Sequence, residues 1–303
     1  MPPDRLNSME RTRLYPGLGH ALLLCVAVIA FQVGVATPFA LAGLLLKSSL
    51  ATHPAVIAFV NVVAFGLTLF LGLLLAKAPR AEVFPLKRVR AGLFAPMVLS
   101  VVGAVILLSE VDNLFRAILP IPEGLAHFFK EMFTPASSVW GSFLLLVLVA
   151  PVTEELLLRG MILRGFLSRY RAGTAIGLSA LLFACLHLNP WQFMSALALG
   201  VLLAWWFVRT RSLVPCLAGH ALANFVVLAN PFLPFQIPGF NKGDMFSPTE
   251  FQPLWLDALG AALLGLGLLL FARMAPPPVA APPILQPPVL GDHAGAVPPG
   301  GTG

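Results

Sequence analysis

Long unbroken apolar runs dominate the chain, with no strict alternation and few narrow amphipathic stripes. A helix needs about 20 mostly apolar residues to cross the hydrocarbon core of a bilayer, because lipid offers the backbone no hydrogen-bond partner. Eight segments reach or approach that length: residues 18–44, 54–76, 92–108, 139–165, 174–188, 191–208, 213–230 and 254–274. The third and fifth are the shortest. The pattern therefore predicts an all-α, polytopic membrane protein of about eight transmembrane helices. The first run follows Arg5, Arg11 and Arg13 as a signal peptide would, but it is longer than a signal sequence's apolar region and shows no clear cleavage site, so it reads as a retained anchor.

Composition agrees. Of 303 residues, 58% are hydrophobic and 11% charged, against roughly 45–50% and about 25% in an ordinary soluble domain. Too little polar surface exists to wrap this apolar mass in water, which excludes a soluble globular protein, and the same excess excludes a disordered one. The formal charge of +6 does not indicate nucleic acid, because the basic residues fall between apolar runs and no basic helix or aromatic RNA-binding signature occurs. With an inside N-terminus and eight spans, fourteen Lys and Arg lie inside and four outside (Lys47, Arg116, Lys130 and Lys242), while Arg159 falls within the fourth span. Lys and Arg in short loops stay on the cytoplasmic side, so both termini are expected there. Cys25, Cys185 and Cys216 match no metal or redox spacing and read as small core residues.

The expected organisation is a cytoplasmic segment (1–17), N-terminal helices with an outside loop (18–138), a transmembrane core carrying the chemistry (139–274) and a cytoplasmic tail (275–303). The outside loop is expected over 109–138, with a short amphipathic piece around 126–133. The tail holds nine prolines in 29 residues and is expected to be extended and disordered.

Charge at membrane depth is costly, about 2.5–3.5 kcal/mol per residue on insertion scales, so such groups usually face a cavity or partner. The densest group here is Pro151-Val152-Thr153-Glu154-Glu155-Leu156-Leu157-Leu158-Arg159-Gly160. On a helix Glu155 and Arg159 share a face and can pair. Glu154, turned by about 100°, is left free to point elsewhere, as a general base would. His187 follows in Phe183-Ala184-Cys185-Leu186-His187. His220 and Asn224 stand one turn apart in His220-Ala221-Leu222-Ala223-Asn224. These groups could meet in one cavity, and the bland alternative is that they only glue helices together. His20, His53, His127 and His293 read as surface residues. Gln32, Asn61 and Asp257 read as helix contacts or interface residues. Ala196, Gly200 and Ala204 form a close-packing stripe, and Trp205 and Trp206 read as interfacial aromatics.

Taken together, Glu154-Glu155 with Arg159, Phe183 with His187, and His220 with Asn224 resemble the signature of the CPBP intramembrane protease family, which includes the type II CAAX prenyl endopeptidases. The resemblance covers roughly residues 139–230. It implies that Glu154 activates water with help from His187, that Glu155 and Arg159 fix their helix, and that His220 and Asn224 stabilise the oxyanion. It also leaves two mechanisms open: a metal-free one, and a divalent-metal one in which Glu154, His187 and His220 bind zinc with a water in the fourth position. No His-Glu-x-x-His helix is present.

The expected function is therefore an intramembrane endopeptidase acting on a membrane-associated or lipidated protein or peptide, with the lipid bilayer and that substrate as partners and no nucleic acid. In a bacterial inner membrane the substrates would be signal peptides, secreted peptide precursors or membrane proteins. The alternatives are a non-proteolytic scaffold or bacteriocin-immunity-like protein, and a proton-coupled transporter, for which inverted repeats are not evident.

Overall fold

The computed structural model describes residues 14–126, 139–242 and 249–277. Among the described residues there are helices and no strands. Seven helices are long and apolar enough to cross a membrane: α1 (Leu18–Leu46), α2 (Pro54–Ala76), α3 (Ala91–Ile118), α4 (Val139–Leu167), α6 (Pro190–Thr210), α7 (Val214–Phe232) and α8 (Leu254–Met274). The remaining apolar run forms α5 (Ala172–Leu186), whose 15 residues give about 22 Å of helix against a hydrocarbon thickness of about 30 Å. Among the described residues the eight apolar runs thus form eight helices, of which seven meet the spanning length. A tight turn ends α5, with Leu188 in the left-handed region (φ 48°). Asn189 then caps α6, its side chain accepting the Trp191 N–H, with Pro190 at the first helical position.

The third helix is longer than its apolar run. Residues 109–118, read from sequence as the start of an outside loop, continue α3 to Ile118. Their polar side chains find partners from distant chain. Glu110 accepts the Gln252 N–H at 2.9 Å, Asn113 donates to the Gly239 carbonyl at 2.6 Å, and Asp112 accepts the Ser195 hydroxyl at 2.9 Å. Satisfied in this way, these residues have no need of a loop. Of the amphipathic piece at 126–133, residues 127–133 lie outside the described residues, as does the tail from 278.

Small residues let the helices approach closely. A Cβ on Gly103 of α3 would stand 2.6 Å from the Gly260 carbonyl of α8, and one on Gly200 of α6 would stand 3.1 Å from Ala180 of α5. Ala196 and Ala204 are buried beside Gly200, so the small-residue stripe on α6 is a packing seam. Gln32 of α1 donates to Asn61 of α2 at 2.7 Å, the helix contact expected of both. Two expectations are corrected. Trp206 is fully buried against Phe271 of α8, with ring centroids 5.4 Å apart, and against Gly219 of α7, so it belongs to the core. Cys185 is exposed on α5, whereas Cys25 and Cys216 are buried.

Candidate active site

The site is built on α4, which is not a uniform helix. Two wide π-type stretches, Leu144–Val149 and Leu156–Leu163, flank the α-helical Ala150–Glu155. Such turns concentrate at functional sites. Here Pro151 accounts for part of the geometry. The Ala150 N–H bonds to the Leu145 carbonyl. In that register the next carbonyl, Leu146, would be served by residue 151, but proline has no N–H. Asn224 of α7 supplies the missing donor, its amide reaching the Leu146 oxygen at 2.8 Å. Thr153 turns its hydroxyl back to the Val149 carbonyl at 2.8 Å and spends its polarity within the helix.

The two acids then diverge. Glu155 and Arg159 are both fully buried and pair at 2.7 Å. Arg159 also donates to the Gly200 carbonyl at 3.1 Å and lies 4.6 Å from the centre of the Phe183 ring. The same Glu155 oxygen that holds Arg159 also holds His220, whose Nδ1 is 2.8 Å away. Glu155 is thus a hub between α4 and α7, a role beyond the single i,i+4 pair read from sequence. A carboxylate on Nδ1 favours the tautomer with the proton there and turns Nε2 toward whatever lies beyond.

What lies beyond is Glu154. Its Oε2 is 3.9 Å from His220 Nε2. That oxygen is buried and has no hydrogen-bond partner, and Glu155 Oε2 shares this state. A spacing of 3.9 Å is too long for a direct bond, yet one water can bond both atoms at about 2.8 Å each. The structure thus brings Glu154, Glu155, Arg159 and His220 together, with Asn224 one turn along α7.

His187 is placed less closely. Its Nδ1 donates to the Phe183 carbonyl at 2.9 Å, which leaves Nε2 free. His187 and His220 both meet the Phe183 ring at right angles, with centroids 4.9 and 5.5 Å away, so Phe183 is the shared wall of the site. Among the described residues, no three His, Cys, Asp or Glu side chains are grouped so as to hold a metal ion. His220 and His187 each hold Nδ1 on an acceptor of the protein, Glu155 and the Phe183 carbonyl, and keep Nε2 free. Sequence reasoning missed the Glu155–His220 bond and the repair of the proline gap by Asn224. Pro151 itself was the signal for the latter.

Fold and site define a multi-pass integral membrane protein with a buried acid–base cluster on its fourth, fifth and seventh helices. Residues 136–226 match the family model described as type II CAAX prenyl endopeptidase Rce1-like. The match covers α4 to most of α7 and includes every residue of the cluster. It supports intramembrane endopeptidase activity in general, acting on a peptide or protein in a membrane setting. No curated protein matches the chain, and no solved structure does.

Proposed function

We propose that the protein is an endopeptidase that hydrolyses a peptide bond of a membrane-associated protein or peptide with a water molecule activated by Glu154. The observation that carries this reading is the unpartnered, buried Glu154 oxygen 3.9 Å from His220 Nε2. Both atoms accept hydrogen bonds, and a water has two hydrogens to give. Held by both, it presents its lone pairs to a carbonyl carbon. As the water oxygen attacks, its proton passes to Glu154 and then to the leaving amine. The water's other proton stays on the new hydroxyl, hydrogen-bonded to His220 Nε2, and the negative charge that forms on the carbonyl oxygen is met by the second amide hydrogen of Asn224. His187, with Nδ1–H fixed on the Phe183 carbonyl, keeps Nε2 free to relay a proton. None of these steps passes through a metal.

The test is cleavage of a library of transmembrane peptides by the purified full chain in lipid nanodiscs. Glu154→Gln keeps the shape of the side chain and removes its basicity, so the rate should fall by about 10²–10⁴-fold with the melting temperature unchanged. A Glu154→Gln protein that cleaves at the full rate overturns the mechanism. A wild-type protein that cleaves nothing in the library favours the scaffold reading of the same polar cluster.

A further inference from the structure

One end of the bundle is strongly basic. Contacts between distant segments define that end. Arg164 pairs with Glu82 at 3.2 Å, Leu213 N–H donates to the Pro85 carbonyl at 2.8 Å, and Ser212 donates to the Lys87 carbonyl at 2.7 Å. Arg209 reaches the last turn of α8, donating to the Ala272 carbonyl at 2.7 Å. Among the described residues, the one acid at this end is Glu82, and Arg164 already occupies it. The opposite end carries both signs, with Lys47, Asp112, Arg116, Glu123, Lys242 and Glu250.

Five of the basic side chains, Lys77, Arg80, Lys87, Arg88 and Arg90, fall in the connection between α2 and α3, and all five are exposed. A segment joining two spans lies at the boundary of lipid and water whichever way the chain is oriented. Leu86, 62% exposed, sits among these bases, the mixture that favours the headgroup layer. The connection is also firmly seated. Val83 is buried. Phe84 lies so close to Gly160 that a Cβ there would be 2.8 Å from its ring. The two bonds to the Pro85 and Lys87 carbonyls tie the connection to the turn between α6 and α7. It is a strap across α4, one turn and a little more beyond Glu155.

We propose that this strap binds the anionic headgroups of the leaflet it faces, and that the contact keeps Phe84 against Gly160, so that the charge of the surrounding lipid governs the order of the helix carrying Glu154 and Glu155. Unpaired, exposed positive charge at the interface complements anionic lipid, at about fivefold in partition for each Lys or Arg near the surface. An acidic protein could satisfy the same charges, but only by approaching a surface that headgroups already occupy. The binding itself does not depend on the proposed chemistry. Its effect on cleavage rests on that reading.

The experiment uses the full chain in nanodiscs of phosphatidylcholine, alone or mixed with phosphatidylglycerol. It measures the ratio of the two lipids retained after mild detergent extraction, the melting temperature, and peptide cleavage. For the wild type, phosphatidylglycerol is enriched and raises the melting temperature. In Lys87→Gln/Arg88→Gln/Arg90→Gln the enrichment falls on the order of a hundredfold and the thermal gain disappears. Lys47→Gln/Lys242→Gln, at the opposite end, leaves both unchanged. If the triple variant does not fold, each single substitution still reads a fall of about fivefold. Equal enrichment in wild type and triple variant overturns the proposal, as does an equal loss in the opposite-end control. Stabilisation by an acidic peptide in pure phosphatidylcholine, with no response to phosphatidylglycerol, would make the strap a protein-docking surface and also overturns it. A cleavage rate indifferent to phosphatidylglycerol while enrichment persists removes the coupling to α4. Absence of cleavage under every condition counts against the proposed chemistry and leaves the lipid result standing.

Discussion

Arg159 offers the sharpest test of how the site is held. Arg159→Met keeps most of the side-chain length and its packing on Phe183 while removing the charge. It deletes the 2.7 Å bond to Glu155 and the 3.1 Å bond to the Gly200 carbonyl. Glu155 is left fully buried with His220 as its remaining partner. Stripping one member from a buried ion pair costs 3–5 kcal/mol in soluble proteins. Hydrogen bonds between membrane helices contribute less, averaging about 0.6 kcal/mol. The stranded charge is what separates the two cases, because both side chains here have no solvent exposure. The low end of the range, about 3 kcal/mol, is therefore expected, which is on the order of a hundredfold in the folded-to-unfolded ratio. Glu155→Gln/Arg159→Met removes both charges and leaves an amide oxygen for His220 Nδ1–H. It should cost only about 1 kcal/mol, about 2 kcal/mol less than Arg159→Met alone. Equilibrium unfolding in mixed micelles, followed by tryptophan fluorescence, measures Arg159→Met, Glu155→Gln and the double variant. A single-variant loss below about 1 kcal/mol, or a double variant as damaged as the two single changes added together, would refute the view that Arg159 is there to neutralise Glu155.

Three further outcomes follow from the geometry. Asn224→Leu removes the donor to the Leu146 carbonyl and should cost about 1–2 kcal/mol of stability as well as cleavage, whereas Asn224→Gln, too long for that carbonyl, should not restore either; hydrogen exchange across 144–150 reads the local opening. Gly103→Ala drives a Cβ into the backbone of α8 near the Gly260 carbonyl and should lower stability by about 1–3 kcal/mol, seen as a drop in melting temperature. Prolonged chelation with EDTA should leave the cleavage rate unchanged, since Glu154, His187 and His220 are not grouped as metal ligands; a rate restored by added zinc would contradict this.

Much of the architecture could be read from the chain because lipid imposes a simple rule of length and polarity. The runs that became α1, α2, α4, α6, α7 and α8 are visible as long, predominantly apolar stretches. The pairing of Glu155 with Arg159 follows from helical spacing alone. The end of α3 was not legible, since Glu110, Asp112 and Asn113 look like loop residues until Gln252, Ser195 and Gly239 arrive from far along the sequence. The burial of Trp206 was hidden for a similar reason, because it depends on Phe271 and Gly219 arriving from other helices. Within the site, the residue types were evident but their partners were not. Spacing cannot tell which of two adjacent glutamates will meet a histidine on another helix, and the structure gives His220 Nδ1 to Glu155 and leaves Nε2 toward Glu154.

The wide turns on either side of Ala150–Glu155 give α4 spare length. A wide turn holds one residue more than an ordinary one, so deleting one residue from Leu144–Val149 would let that stretch tighten to ordinary pitch while the acids beyond it keep their bearing toward the imidazole. The loss of a single codon there is thus absorbed within the helix, and both glutamates stay where the reaction needs them.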